Sequence, residues 1–130
     1  MTTPLRILYV DDDADIRTIV GLALSLDPAI EVRAAGSGTE ALRTIDADPW
    51  RPDAIILDLM MPDMDGITLL AALRMRSGLG RTPTLFMTAR GHDSDASRPE
   101  LDDAIGVILK PFDPIELAGT VRRLIEAAPR

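Results

Sequence analysis

Short apolar runs alternate with segments of helical periodicity along this chain. The first run, Leu5–Val10, is almost continuously apolar and ends abruptly at three consecutive aspartates, which is typical of a strand buried on both faces. The next segment repeats apolar residues at a spacing that places them on one helical face, namely Ile16, Ile19, Val20, Ala23 and Leu24. We therefore predict a strand followed by an amphipathic helix that ends before Asp27 and Pro28.

Later apolar runs predict the remaining strands, at Ile30–Ala35, Ala54–Leu57, Pro83–Thr88 and Gly106–Leu109. Helical patterns follow the second, third and last of the five predicted strands. The segment after the fourth strand, residues 90–103, contains Gly91, Pro99 and many polar residues. We predict only a short or irregular fourth helix there, because glycine and proline disfavour a long one.

The predicted helices begin at residues that favour helix starts. Ser37 and Glu40 have the spacing of a capping box at the start of the second helix. The third helix follows Gly66 and is indicated by Ile67, Leu70, Ala71 and Arg74. The last helix is expected to open at Asp113 as N-cap, with Pro114 in its first position.

Strands that alternate with helices predict a doubly wound α/β fold, a five-stranded parallel sheet with helices on both faces. A chain of 130 residues suits one domain, so we expect a single domain over residues 1–130 with tails at 1–4 and 127–130. The hydrophobic share of 46% and the charged share of 27% are typical of a soluble globular protein.

Charge and composition argue against several classes of protein. Acidic residues exceed basic ones by 21 to 14, and the resulting net charge of −7 disfavours direct nucleic acid binding. The chain has no cysteine, which excludes disulfides and thiolate chemistry. No apolar run approaches the ~18 residues of a membrane span, and no secretory signal pattern is visible. We expect a cytoplasmic protein without membrane insertion.

Ligands of doubly wound sheets bind beyond the carboxyl ends of the strands. The predicted strand ends supply the polar residues Asp11, Asp12, Asp58, Thr88 and Lys110. Three neighbouring carboxylates repel one another unless a cation lies among them, and hard oxygen ligands favour Mg²⁺. Once that charge is screened, Asp58 is suited to attack phosphorus as a carboxylate nucleophile. Lys110, the only lysine of the chain, and the Thr88 hydroxyl are suited to pair with phosphoryl oxygens.

Four motifs of the chain are specific in combination. They are the acidic pair at 11–12, the run Leu-Asp-Leu-Met-Met-Pro-Asp-Met-Asp-Gly at 57–66, Thr88-Ala89 and Lys110-Pro111-Phe112. Together they resemble response regulator receiver domains of the CheY-like family. The resemblance spans essentially the whole chain and implies a flavodoxin-like strand order, 2-1-3-4-5.

The resemblance also implies roles for individual residues. It places Mg²⁺ on the side chains of Asp11, Asp12 and Asp58 and on the backbone carbonyl of Met60. It implies that Asp58 is phosphorylated from a histidine kinase or a histidine phosphotransfer protein, and that Thr88 and Lys110 contact the phosphoryl group. The Lys110–Pro111 bond is then expected to be cis, as proline permits.

The chain departs from the family pattern at positions that matter for signalling. Val107 stands where receiver domains usually place the aromatic residue that turns inward together with the threonine. Pro99 falls within the fourth helical segment. Met60 and Arg90 occupy positions that tune the lifetime of the acyl phosphate in this family. We therefore predict that signal transmission relies on residues 90–106 rather than on an aromatic switch.

The resulting hypothesis is a single-domain response regulator of a two-component system or phosphorelay. It catalyses only its own phosphorylation and dephosphorylation, acts on an unidentified downstream protein, and is expected to be a monomer. Two alternatives stay open: a phosphorylation-independent interaction module with the same fold, and a receiver fragment of a larger regulator. A haloacid dehalogenase type phosphatase needs a second aspartate where this chain has Met60, and a flavodoxin-like FMN site would not place three carboxylates beside a phosphate.

Each candidate residue also has a purely structural interpretation. An aspartate pair after a strand is often only a helix cap, and Asp13 is suited to that role. Asp58 alone could end a strand as a polar terminus. His92, the only histidine, lies in a polar segment without partners for a triad or zinc site, so we predict that it is exposed. The site hypothesis rests on the joint pattern and on no single residue.

Overall fold

The computed structural model describes residues 4–89 and 104–128 of the chain. In these residues a parallel sheet contains β1 (Leu5–Val10), β2 (Ile30–Ala35), β3 (Ala54–Asp58), β4 (Thr84–Ala89) and β5 (Gly106–Lys110). The strand order is β2-β1-β3-β4-β5, which confirms the predicted doubly wound fold and its 2-1-3-4-5 order. The predicted irregular helix at 90–103 lies outside the described residues.

The described helices are α1 (Ala14–Ser25), α2 (Gly38–Ala47), α3 (Gly66–Arg74) and α4 (Leu117–Ala127). One apolar cluster on the sheet includes residues of α2 and α3, and a second includes residues of α1 and α4. The helices therefore cover both faces of the sheet, as predicted. The central strand β3 is buried along its whole length, which explains its continuous apolar run. None of the helices in the described part of the chain is long and apolar enough to span a bilayer.

Side-chain caps start three of these helices. Asp13 accepts hydrogen bonds from the backbone N–H groups of residues 15 and 16, so it caps α1 as the sequence suggests. Ser37 accepts from the backbone N–H of Glu40 at 3.0 Å. The Glu40 carboxylate accepts from the backbone N–H of Gly36 at 3.1 Å rather than from that of Ser37. The predicted capping box is thus present in a shifted form.

The predicted start of the last helix is wrong. Asp113 accepts a hydrogen bond from the backbone N–H of Ile115 at 2.9 Å, and its carbonyl accepts one from Glu116 at 3.1 Å. These short-range bonds close a turn, and helical bonding begins only where the Glu116 carbonyl accepts from Thr120. Helix α4 therefore starts at Leu117, four residues after the expected N-cap.

The buried faces of two helices also differ from their predicted stripes. In α3 the buried apolar residues are Leu69, Leu70 and Leu73, whereas Ala71, which the predicted stripe included, is exposed. In α1, Ile19 belongs to the predicted apolar face but is 41% exposed. The apolar faces of α1 and α3 are wider than the area of each helix that packs against the sheet. One edge of each apolar face therefore remains exposed to solvent.

Candidate functional site

Three carboxylates meet at the carboxyl ends of β1 and β3. Asp11 and Asp12 follow β1 directly, and Asp58 is the last residue of β3. One carboxylate oxygen from each residue lies within 4.8 Å of the others. Asp11 and Asp58 are buried and Asp12 is exposed, so the cluster is open to solvent on one side. The parallel pairing of β1 with β3 brings the two strand ends together.

Asp11 is held by hydrogen-bond donors on both carboxylate oxygens. Its Oδ1 accepts from the backbone N–H of Asp13 at 3.0 Å, and its Oδ2 accepts from the Tyr9 hydroxyl at 2.6 Å and from Lys110 Nζ at 3.1 Å. Burial alone would raise the pKa of Asp11, but these donors and the lysine charge outweigh it and lower the pKa below its ordinary value. Asp11 is therefore ionised at neutral pH.

The surroundings of Asp58 raise its pKa, whereas those of Asp11 lower the pKa of that residue. Burial and the negative charge of Asp11 raise its pKa to about 6, although the Lys110 ammonium opposes that shift. The backbone N–H of Met60 also donates to this carboxylate and favours its charged form. In the absence of a cation, part of Asp58 is thus protonated close to neutral pH.

Lys110 connects the two buried carboxylates. Its Nζ lies 3.1 Å from Asp11 Oδ2 and 3.5 Å from Asp58 Oδ2. The lysine side chain as a whole is 20% exposed. Lys110 is the last residue of β5, at the edge of the sheet that carries the acidic cluster, and the next peptide bond, Lys110–Pro111, is cis. The Lys110 ammonium therefore compensates part of the charge of the cluster.

Thr88 contributes a buried hydroxyl that has no partner among the described residues. The residue is 1% exposed near the end of β4, the strand that pairs with both β3 and β5. Among the described residues, Thr88 Oγ1 is the buried side-chain polar atom without a hydrogen-bond partner. Buried polar groups are nearly always paired, and exceptions often mark functional positions. This hydroxyl is free to donate to a ligand oxygen.

The loop after β3 is held against the start of α2. Asp63 Oδ2 lies 3.3 Å from both the backbone nitrogen and the hydroxyl of Thr39, each of which donates to it. At the end of the loop, a Cβ atom on Gly66 would lie 2.6 Å from the carbonyl oxygen of Asp58. Glycine is required there because the chain passes so close to the end of β3.

A comparison with protein-family models identifies the response regulator receiver domain across residues 7–122. The chain belongs to this family. The match covers every described strand and helix except residues 5–6 at the start of β1 and 123–127 at the end of α4. It therefore concerns nearly the whole described fold. Receiver domains are components of response regulators. Asp11, Asp12 and Asp58 form the acidic pocket of this receiver domain.

Curated relatives confirm the family at the level of sequence. The receiver domain is 36% identical over 123 residues to the transcriptional regulatory protein TrcR of Mycobacterium tuberculosis, covering 95% of this chain and 46% of that protein. It is 37% identical over 126 residues to the regulatory protein AtoC of Escherichia coli, covering 97% of this chain and 26% of that protein. The chain thus spans about half or less of the length of these relatives.

Solved structures confirm the fold. A putative response regulator from Chloroflexus aurantiacus superposes with a TM-score of 0.81 at 34% identity, covering 95% of this chain and 99% of that one. The chemotaxis protein CheY4 of Vibrio cholerae gives a TM-score of 0.80 at 34% identity with the same coverage. The receiver fold therefore extends over nearly the full length of both comparison chains.

The sequence reasoning missed two residues that anchor Asp11 in this receiver domain. Tyr9 donates to its carboxylate, and Arg17 Nη1 donates to its backbone carbonyl at 2.7 Å. Tyr9 precedes Asp11 by two residues in an extended segment, a spacing that places both side chains on one side of the strand. That spacing was a usable signal in the sequence. It was overlooked because Tyr9 was treated only as a core residue of the apolar run Leu5–Val10.

The remaining predicted site residues are placed as follows. Met60 lies two residues after Asp58, with its side chain 51% exposed. Val107 is half-buried in β5, opposite Phe86 of β4, and packs against the α2 and α3 side of the core. Arg90, Pro99 and His92 lie outside the described residues, and so does most of the segment 90–106 assigned to signal transmission. Their roles stay predictions.

Proposed function

We propose that this receiver domain accepts a phosphoryl group on Asp58 in a Mg²⁺-dependent reaction and thereby acts in a two-component system or phosphorelay. The observation that carries this proposal is the grouping of three carboxylates with one lysine at the end of a parallel sheet. The Thr88 hydroxyl at the same sheet edge has no partner within residues 4–89 and 104–128, and it supports the proposal because a phosphoryl oxygen would supply an acceptor.

The donor set of the cluster suits a hard divalent cation. Asp11, Asp12 and Asp58 would hold Mg²⁺ together with the backbone carbonyl of Met60. When bound, the cation would neutralise charge on the carboxylates and on the incoming phosphoryl oxygens. Lys110 alone cannot compensate three carboxylates, so the arrangement of charges favours such an ion.

The chain's own residues would carry out the transfer. A carboxylate oxygen of Asp58 attacks phosphorus and forms an O–P bond, while the bond from phosphorus to the donor, such as a phosphohistidine nitrogen, breaks with its electron pair. The Lys110 ammonium would turn from Asp11 towards one phosphoryl oxygen, and the Thr88 hydroxyl would donate to another. Burial of Asp58 limits access of other nucleophiles to the acyl phosphate.

In this proposal the domain catalyses only its own phosphorylation and dephosphorylation. The residue two positions after Asp58 is Met60, which offers no side-chain acid or base for turnover of an external substrate. Phosphorylation would instead change the binding of a partner protein, and the partners themselves are defined only by class. A histidine kinase or histidine phosphotransfer protein would supply the phosphoryl group.

An apolar strip beside the site supports docking of such a protein donor. The exposed residues Ile19 and Leu22 of α1 and Leu26, the C-cap of that helix, lie next to Pro114, and Leu22 is 67% exposed. A neighbouring groove lined by Ile16, Ile19 and Phe112 reaches Lys110. Exposed apolar surface of this kind marks interaction sites, and here it adjoins the residues that would receive the phosphoryl group.

The test is phosphorylation by acetyl phosphate, followed by intact mass measurement with Mg²⁺ or with a chelator. We expect one phosphoryl group on the wild-type chain only when Mg²⁺ is present, and none on Asp58→Ala. Asp46→Ala is a matched control, because Asp46 is an exposed partner of Arg76 at the far end of α2. If neither a phosphoryl adduct nor a beryllofluoride complex forms, the phosphorylation-independent interaction module is the better function.

A further inference from the structure

Tyr9 lies directly beneath the acidic cluster, and the proposed chemistry so far gives it no part. Its side chain is 0% exposed, and its hydroxyl donates to Asp11 Oδ2 at 2.6 Å. This is shorter than the other two hydrogen bonds to the Asp11 carboxylate, which measure 3.0 Å and 3.1 Å. The phenol is therefore the closest donor to a carboxylate that would help to hold the cation.

Asp11 Oδ2 is shared by two donors of different mobility. Lys110 reaches the same oxygen at 3.1 Å and also lies 3.5 Å from Asp58. In the proposed phosphorylation, Lys110 leaves Asp11 to pair with a phosphoryl oxygen. Asp11 Oδ2 would then keep only the Tyr9 hydroxyl among its present side-chain donors.

The position of Tyr9 is set by packing rather than by charge. Its ring lies in the core between the sheet and helices α1 and α4, in one cluster with Val20, Ile56 and Met87. Side chains in such close-packed cores hold one rotamer, so the hydroxyl stays at a constant place relative to β1. The flexible lysine stem has no comparable restraint.

We propose that the Tyr9 hydroxyl is a positioning residue that holds the Asp11 carboxylate in a cation-binding orientation while Lys110 moves to the phosphoryl group. This inference rests on the proposed function, because it assigns Asp11 to a divalent cation. Donors that orient a metal-binding carboxylate typically change metal affinity by about 10- to 100-fold when removed. Loss of the Tyr9 hydroxyl is therefore expected to weaken cation binding.

The experiment compares Mg²⁺ affinity of the wild-type chain and Tyr9→Phe by isothermal titration calorimetry. Phenylalanine keeps the ring in the core and removes only the hydroxyl. We expect affinity about tenfold weaker in Tyr9→Phe. Thr84→Val is the matched control, because it removes another buried hydroxyl, one that donates to the Thr82 carbonyl at the opposite end of β4. Its Mg²⁺ affinity should equal that of the wild type even if its stability falls.

Equal Mg²⁺ affinity in Tyr9→Phe and wild type overturns the inference and leaves the proposed function intact. Absence of Mg²⁺ binding to the wild type overturns both. A second measurement uses only the wild type and so does not depend on the folding of Tyr9→Phe. Because the chain has one tyrosine, its ring resonances can be followed by NMR. We expect them to shift over the Mg²⁺ concentrations that saturate the calorimetric signal, and resonances that stay unchanged at saturation overturn the inference.

Discussion

Thr88→Val is expected to stabilise the metal-free protein while impairing its chemistry. The Thr88 hydroxyl is buried and has no hydrogen-bond partner among the described residues. An unsatisfied buried hydroxyl costs about 1–3 kcal/mol relative to a paired one, and valine has nearly the same shape without it. We expect the free energy of unfolding to rise by about 1 kcal/mol, which corresponds to about 4 °C in Tm for a domain of this size.

A matched substitution in the same strand should have the opposite sign. The Thr84 hydroxyl is also buried, but it donates to the Thr82 carbonyl at 3.1 Å and lies 3.4 Å from Arg74 Nη2. Thr84→Val removes both interactions of the hydroxyl, so we expect the free energy of unfolding to fall by about 1 kcal/mol. Both substitutions keep a β-branched residue in β4, which cancels differences in strand propensity.

Urea unfolding followed by circular dichroism, in buffer that contains a chelator, measures both changes. The same Thr88→Val protein should be phosphorylated by acetyl phosphate about tenfold more slowly, because one hydrogen bond to a charged oxygen contributes about 1.5–3 kcal/mol. The reasoning is refuted if Thr88→Val loses as much stability as Thr84→Val, since that would mean the Thr88 hydroxyl already has a partner in the metal-free protein.

Three further predictions follow from the site and its supports. In Lys110→Met the pKa of Asp58 should rise further above about 6, because the neighbouring positive charge is removed, and an NMR titration of metal-free protein measures the change. Gly66→Ala should lower the free energy of unfolding by about 2 kcal/mol in urea, because the added Cβ meets a backbone carbonyl; a neutral effect would contradict the close approach. The Ala29 amide and Arg122 lower the pKa of Asp27, so the ion pair stabilises above the ordinary carboxyl pKa and is lost as pH falls through the lowered value. The stability difference between wild type and Arg122→Gln should therefore vanish in acid, which unfolding curves at several pH values can check.

The periodicity of the chain was sufficient to predict the fold class because both faces of a parallel sheet must be covered. Strands such as β3 have no solvent face and appear as unbroken apolar runs, while the covering helices repeat every three to four residues. The exact ends of helices and strands were harder to predict from the sequence. The start of α4 was misplaced because Asp113 and Pro114 suit a turn as well as a helix start, and local sequence does not distinguish the two.

The membership of the candidate site was also accessible from sequence. Parallel strands end at one edge of the sheet, so polar residues at the carboxyl ends of β1, β3, β4 and β5 must gather there whatever the details of packing. Asp11, Asp58 and Lys110 could be grouped on that ground alone, and their contacts agree with it.

The partners within the site were decided only by the tertiary structure. Lys110 lies closer to Asp11 than to Asp58 by a few tenths of an ångström, and such differences between separate strands cannot be inferred from sequence. Whether the Thr88 hydroxyl finds an acceptor also depends on contacts between strands. For Tyr9 the two-residue spacing placed its side chain on the same side as Asp11, but only the tertiary structure showed that its hydroxyl donates to that carboxylate. Hydrophobic burial involves whole helices and strands, so it can be predicted from the sequence pattern. Hydrogen bonds and ion pairs form at contact distance, so their partners can be identified only in the folded structure.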